Sequence, residues 1–113
     1  MSTPIDAEKD LAASGGDDTL SQTATVKTDT GAIQVEVGGA TTDAAVHLDA
    51  RLDESLGWVT DYFYAAENVA ATYTDLDQLD LSDVQEVRVR IVNNDADNEA
   101  TGRVALRTGP STR

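Results

Sequence analysis

The chain contains no cysteine. That excludes disulfide staples, thiolate nucleophiles and cysteine-held metals. Histidine occurs once, proline twice and lysine twice, and aromatic residues make up only 4% of the chain. No apolar run approaches the ~20 residues that a membrane-spanning helix requires, and the opening MSTPIDAEKDLAASGG lacks the apolar stretch of a signal peptide. The protein is therefore expected to be made in the cytoplasm, away from membranes, and to leave, if at all, by a route such as lysis. Positive charge is scarce, so strong non-specific binding to nucleic acid, which needs a basic surface, is disfavoured.

What the sequence has instead is acid. Of 113 residues, 21 are Asp or Glu and 8 are Lys or Arg, giving a formal charge of −13. Fifteen of the acids are Asp, and six of the eight bases are Arg. Such a surface repels itself in dilute salt. In molar salt the screening length falls to about 3 Å and the repulsion is largely removed, while the carboxylates keep the surface hydrated and soluble. The composition points to a salt-saturated habitat such as that of haloarchaea and their viruses.

The length is that of one domain, which buries roughly two-thirds of its unfolded surface. Three regions are expected: an N-terminal arm over 1–18, a β-domain over 19–109 and a short C-terminal tail over 110–113. In the arm, Pro4 can open one or two helical turns as far as Leu11, and Gly15–Gly16–Asp17–Asp18 ends them. From residue 19 the apolar period is two. Leu20, Ala24 and Val26, then Ile33, Val35 and Val37, predict two strands joined as a hairpin through Lys27–Gly31. Val46, Leu48, Ala50 and Leu52 predict a third strand, Trp58–Tyr64 a fourth and Val69–Tyr73 a weaker fifth. Residues 74–83 read as an ordered loop or a short helical turn whose Leu76, Leu79 and Leu81 seek burial. Val87, Val89 and Ile91, then Val104 and Leu106, predict the last two strands. Seven short strands separated by turns make an all-β antiparallel sandwich or jelly roll, with a β-barrel as the other architecture.

Several groupings bear on chemistry. His47 lies on the polar side of its strand beside Asp49. It has no cysteine, second histidine or nucleophile elbow to work with, so a solvated strand residue is expected and no enzyme. Asp95, Asp97 and Glu99 set carboxylates at alternate positions, a spacing that can wrap a cation. Ala100 stands where the calcium-loop pattern wants glycine, and Asn and Asp also serve turns directly. Asp95, Asp97 and Glu99 are thus the candidate ligands should a cation bind, and no other cofactor is implied. Asp75, Asp77, Asp80 and Asp83 read as a solvated loop. Trp58, Tyr62 and Tyr64 offer either a sugar platform or core packing, and core packing is expected in a domain so poor in aromatics.

The arginines are unevenly placed. Residues 1–83 hold 17 acids and 3 bases, residues 84–113 hold 4 acids and 5 bases. Arg88 and Arg90 share a parity opposite to Val87, Val89 and Ile91; Arg103 and Arg107 share one opposite to Val104 and Leu106. If the last two strands form a hairpin, all four guanidiniums project from one face. Like charges facing across a hairpin need carboxylates. These come either from within the chain or from an acidic surface on another subunit, and Arg88, Arg90, Arg103 and Arg107 are taken as partner-binding residues.

A cysteine-free β-sandwich with a short N-terminal arm, ending in VRVRIVNNDADNEATGRVALRTG, resembles the small structural proteins of tailed-virus particles, such as head decoration and turret subunits; the Asp-rich composition turns this toward viruses of haloarchaea. The resemblance implies a non-enzymatic virion component on the capsid exterior, present as a symmetric homo-oligomer and bound to other structural proteins such as a capsid protein. In that picture the arm 1–18 docks on a neighbour. The competing class is a cellular carbohydrate- or cation-binding module.

Overall fold

A computed structural model describes residues 2–109. It has eight strands: β1 (Ser2–Leu11), β2 (Thr19–Thr25), β3 (Thr30–Gly39), β4 (Ala44–Arg51), β5 (Val59–Val69), β6 (Tyr73–Asp80), β7 (Glu86–Asn93) and β8 (Ala100–Gly109). All pairings are antiparallel. β1 pairs with β8, β2 with β7, β3 with β6 and β4 with β5, so the chain is one long folded ribbon. Two further pairings, β3 with β8 and β4 with β7, roll that ribbon into sheets ordered β1-β8-β3-β6 and β2-β7-β4-β5. This is the winding of a jelly roll.

The two-residue period sets which side chains face inward. Val87, Val89 and Ile91 of β7, Val104 and Leu106 of β8, Ile33, Val35 and Val37 of β3, and Val46 and Leu48 of β4 meet between the sheets in one core. The sheets approach closely at Gly102, where a Cβ would stand 3.0 Å from Cγ2 of Ile91. Gly39, with φ +95°, lets β3 turn away against the carbonyl of Glu99, which a Cβ would meet at 2.8 Å.

Five expectations are corrected. The supposed arm is β1: its Ile5 and Leu11 are buried in the core, and it covers an edge of β8 that would otherwise be open. Its one or two helical turns are absent, because Ile5, Ala7 and Leu11 share the inward parity of a strand. β2 and β3 do not form a hairpin; they belong to opposite sheets, and Lys27–Asp29 carries the chain across the sandwich. Residues 74–83 are mostly strand β6, with Leu79 and Leu81 buried but Leu76, of opposite parity, 64% exposed. The eight strands accord with the all-β sandwich of about seven read from the sequence. Finally, β7 and β8 lie in different sheets, so the last two strands are not a hairpin. The expected tail, 110–113, lies outside the described residues.

The crossing from β7 to β8 has a specific cause. Asn93 is fully buried; its amide donates to the carbonyls of Ala12 (3.2 Å) and Asn98 (2.9 Å) and its oxygen accepts from the Thr41 hydroxyl (2.7 Å). One side chain thus ties together three loops at one end of the sandwich, at residues 12–18, 40–43 and 94–99.

Candidate functional site

Splitting β7 from β8 separates the four arginines. Arg88 and Arg90 lie on the outer face of the β2-β7-β4-β5 sheet, Arg103 and Arg107 on the outer face of the other. The two pairs have different surroundings.

Arg88 and Arg90 converge on Asp49 of β4, which their register places beside them. Asp49 is 0% exposed. Oδ2 accepts Nε–H of Arg88 at 2.8 Å and of Arg90 at 2.7 Å; Oδ1 accepts Arg90 Nη2 at 3.0 Å and the backbone N–H of Asp61 at 3.0 Å. Burial raises the Asp49 pKa, but Arg90, the Asp61 amide and Arg88 outweigh it, and the carboxyl is held below its ordinary value. The Asp61 amide reaches inward because β5 bulges there, with Asp61 at φ 55°. The Asp61 carboxylate in turn meets His47 Nδ1 at 2.6 Å and Arg90 at 3.5 Å, and the His47 ring lies 6.0 Å from Tyr64. For Arg88 and Arg90 the carboxylate sought on a partner is therefore supplied within the chain. His47 is mostly enclosed by this network rather than free in solvent.

Next along the same face, Trp58 is half-buried, with the guanidinium carbons of Arg51 and Arg88 at 4.2 and 4.6 Å from its ring centroid. Arg51 also pairs with Glu86 at 2.6 Å and donates to the carbonyl of Leu56 at 3.1 Å. The expected packing of Trp58, Tyr62 and Tyr64 into the core is corrected: Tyr62 and Tyr64 are about half exposed, Tyr64 on the outer side of β5 beside His47 and Tyr62 at the open edge, donating its hydroxyl to the Asp80 carbonyl of β6 at 3.4 Å, while Phe63 packs on the core. The core is filled instead by aliphatic side chains of both sheets. Beyond Trp58 the molecule ends in an apolar hollow of about 170 Å³, lined by Leu52, Leu56, Val59, Tyr62 and Val84. Leu52 (61%) and Val59 (59%) stand well out into solvent.

The side chains of Arg103 and Arg107 make no ion pair or hydrogen bond with any described residue, although Glu8 of β1 and Glu36 of β3 stand opposite Arg103 in the sheet. They are exposed on β8, with Ala105 between them on the same face. Ala105 lies beside Gln34 of β3, which lies beside Leu76 of β6. The small side chains of Ala32 and Ala105 leave a shallow depression of about 550 Å³ there, with both arginines, Leu76 and the carboxylate-bearing Asp6 of β1 around it.

Asp95, Asp97 and Glu99 occupy the β7–β8 crossing and do not converge; among the described residues no group of three or more His, Asp or Glu side chains is arranged to hold a metal. Asp95 organises the loop. Its Oδ1 accepts the amides of Asp97 (2.9 Å) and Asn98 (3.2 Å), and its Oδ2 accepts the amide and hydroxyl of Thr42 and the Asn98 side chain. The Asp97 amide first, then Asn98 and Thr42, hold its carboxyl far below the ordinary range. The alternating acids thus serve turn geometry here. The residues that sequence reasoning passed over are Asp49 as a buried hub, Asp61 as its cap and Leu52–Val59 as an apolar end. The signal for Asp49 was its place opposite Arg88 and one same-face step from Arg90, visible once β4 is set beside β7.

No family model matches the sequence, and no curated protein matches it. Solved structures do match in fold. One is a family 16 carbohydrate-binding module, at 12% identity and a TM-score of 0.56, covering 88% of this chain and 74% of that one. Another is the Yersinia pseudotuberculosis-derived mitogen, at 10% identity and 0.53, covering 96% and 88%. A third is a chain of infectious bursal disease virus, Gt strain, at 12% identity and 0.55, covering 92% of this chain and 30% of that one. At these identities the likeness is one of fold alone.

Proposed function

We propose that the protein is a non-enzymatic structural subunit of a halophilic, haloarchaeal virus particle, of decoration or turret type, acting through protein–protein contacts. The observation that carries this is the apolar end: Leu52, Leu56, Val59 and Tyr62 stay exposed around one hollow in a chain that otherwise shows acid to the solvent. Contiguous exposed apolar surface marks a contact site, and molar salt strengthens apolar association while screening the repulsion between acidic partners. The jelly-roll likeness to a chain of infectious bursal disease virus is compatible with a particle role. Among the described residues the one side-chain hydrogen bond of His47 is that of its Nδ1 with the Asp61 carboxylate, and no serine or threonine hydroxyl is bonded to the ring, which supports a role without catalysis.

Peptides of this chain are expected at structural-protein abundance in mass spectra of purified haloarchaeal virus particles. Recombinant protein should rebind particles stripped of it, and Leu56→Asp should abolish rebinding without lowering the melting temperature of the free subunit. Rebinding unaffected by Leu56→Asp would remove the apolar end from the contact.

A second reading, a carbohydrate-binding module, is favoured by half-exposed Tyr64 beside His47, Asp61 and Arg90 and by the fold likeness to a carbohydrate-binding module. It predicts a saturable change in Trp58 fluorescence on titration with oligosaccharides. That result, with the chain absent from particles, would replace the first reading.

A further inference from the structure

Two surfaces left unsatisfied within one molecule complement each other. The first is the depression on the β1-β8-β3-β6 face, where Arg103 and Arg107 rise on either side of Ala105 and Leu76 stands 64% exposed across from it. Four residues along a strand set the two arginines about 13 Å apart. This is wide enough to admit a turn between them. The second is the turn 52–57 at the apolar end. The Leu56 amide donates to the Asp53 carbonyl at 3.0 Å and the Ser55 amide to the Asp53 carboxylate at 2.9 Å. Arg51 holds the Leu56 carbonyl at 3.1 Å. The turn so fixed presents Leu52 and Leu56 together with the exposed carboxylates of Asp53 and Glu54, and Glu54 meets no described side chain.

We infer that the occupant of the depression is a second copy of this chain, docked through its 52–57 turn: Leu56 seats against Leu76 and Ala105, and Asp53 and Glu54 meet Arg103 and Arg107. This rests on the proposed role in assembly and names the partner. The two surfaces differ, so the contact is head-to-tail, and repetition closes into a ring or continues as a filament. Only desolvated, bidentate arginine–carboxylate contacts persist in molar salt, and the leucines beside them exclude the water.

Sedimentation of the purified full chain in molar KCl, over a range of protein concentrations, tests this. The wild type should self-associate. R103E/R107E and D53R/E54R should each weaken association roughly 30-fold or more, with melting temperatures near the wild type. The fourfold variant carrying both reversals should regain association, because the complementary charges have exchanged sides. Should a reversal unfold the chain, R103Q/R107Q and D53N/E54Q make the same comparison. A wild type that is monomeric throughout, or that associates undisturbed by either reversal, overturns the inference. So does a fourfold variant that stays monomeric. Presence in particles is measured separately, so a monomeric chain that still binds particle proteins would sink this contact and leave the proposed function standing.

Discussion

Asp49 is the residue on which the arginine question turns. Four arginines in a strongly acidic chain look like one device, and they are two. Arg88 and Arg90 neutralise a buried carboxylate of their own sheet; Arg103 and Arg107 face solvent on the other. Removing one partner from a buried charge cluster strands the rest, at about 3–5 kcal/mol. Asp49→Asn should therefore lower the melting temperature by at least ~12 °C, at ~4 °C or more per kcal/mol for a domain of this size. Arg88→Gln with Arg90→Gln should likewise destabilise the free subunit, which is the opposite of what partner-facing arginines would do. The pH dependence follows from the direction of the shifts. Asp49 and Asp95 have folded-state pKa values below their unfolded ones. The stability they contribute is full above the unfolded value of about 3.9 and is lost as pH falls through the folded values. Melting curves between neutral and strongly acid pH should show that loss in the wild type, with a shallower fall in Asp49→Asn.

At the scale of elements, the informative strands are those at the edges. β1 closes the open side of β8 and sends Ile5 and Leu11 into the core. Ile5→Ala should cost about 2–5 kcal/mol, measured by denaturant unfolding; an unchanged midpoint would restore a loosely attached arm. β6, at the other edge of the same sheet, points Asp75 and Asp77 inward, opposite Val35 and Ile33. The Tyr73 hydroxyl meets Asp75 at 2.7 Å, and burial, then the nearby Asp75, push the Asp77 carboxyl up. Inward acids on an edge strand discourage pairing with a further chain. β5 achieves the same by bulging, with three shifts of register against β4. With these two edges guarded in this way, the faces and ends remain as surfaces for association. That is where the unpaired arginines and the exposed leucines are found.

For the whole molecule, charge and salt dominate. A net −13 spread over a chain with principal extents of 45 × 29 × 18 Å is strongly self-repelling when unscreened. The melting midpoint should rise steeply from dilute to molar KCl. Equal midpoints would remove the halophilic habitat from the proposed function. The Asp49 cluster should respond little, since buried pairs are screened far less than exposed ones. The penalty of Asp49→Asn should therefore persist in molar salt, whereas the exposed Lys9–Asp18 pair contributes little there.

The class of fold and most strand positions are legible in the sequence. The alternation of Val87, Val89 and Ile91, or of Ile33, Val35 and Val37, admits only a half-buried strand, and each of these side chains is in the core. The sequence also determined the acid surface and the absence of cysteine chemistry. Strand partners were beyond its reach. Lys27–Asp29 and Asn94–Glu99 have the composition of hairpin turns, yet both carry the chain between sheets; the Leu81 amide ties the first to the end of β6 through the Asp29 carbonyl, and Asn93 ties the second to Ala12 and Thr41. Local composition carries no record of such a tie. The same gap concealed the site: Asp49 becomes a hub only when β4 lies beside β7, and Trp58 faces outward only because aliphatic residues from both sheets already fill the core. Tertiary structure decided which arginines are satisfied within the chain and which stay exposed, since pairing between distant strands, and not parity along one, sets the charge each guanidinium meets.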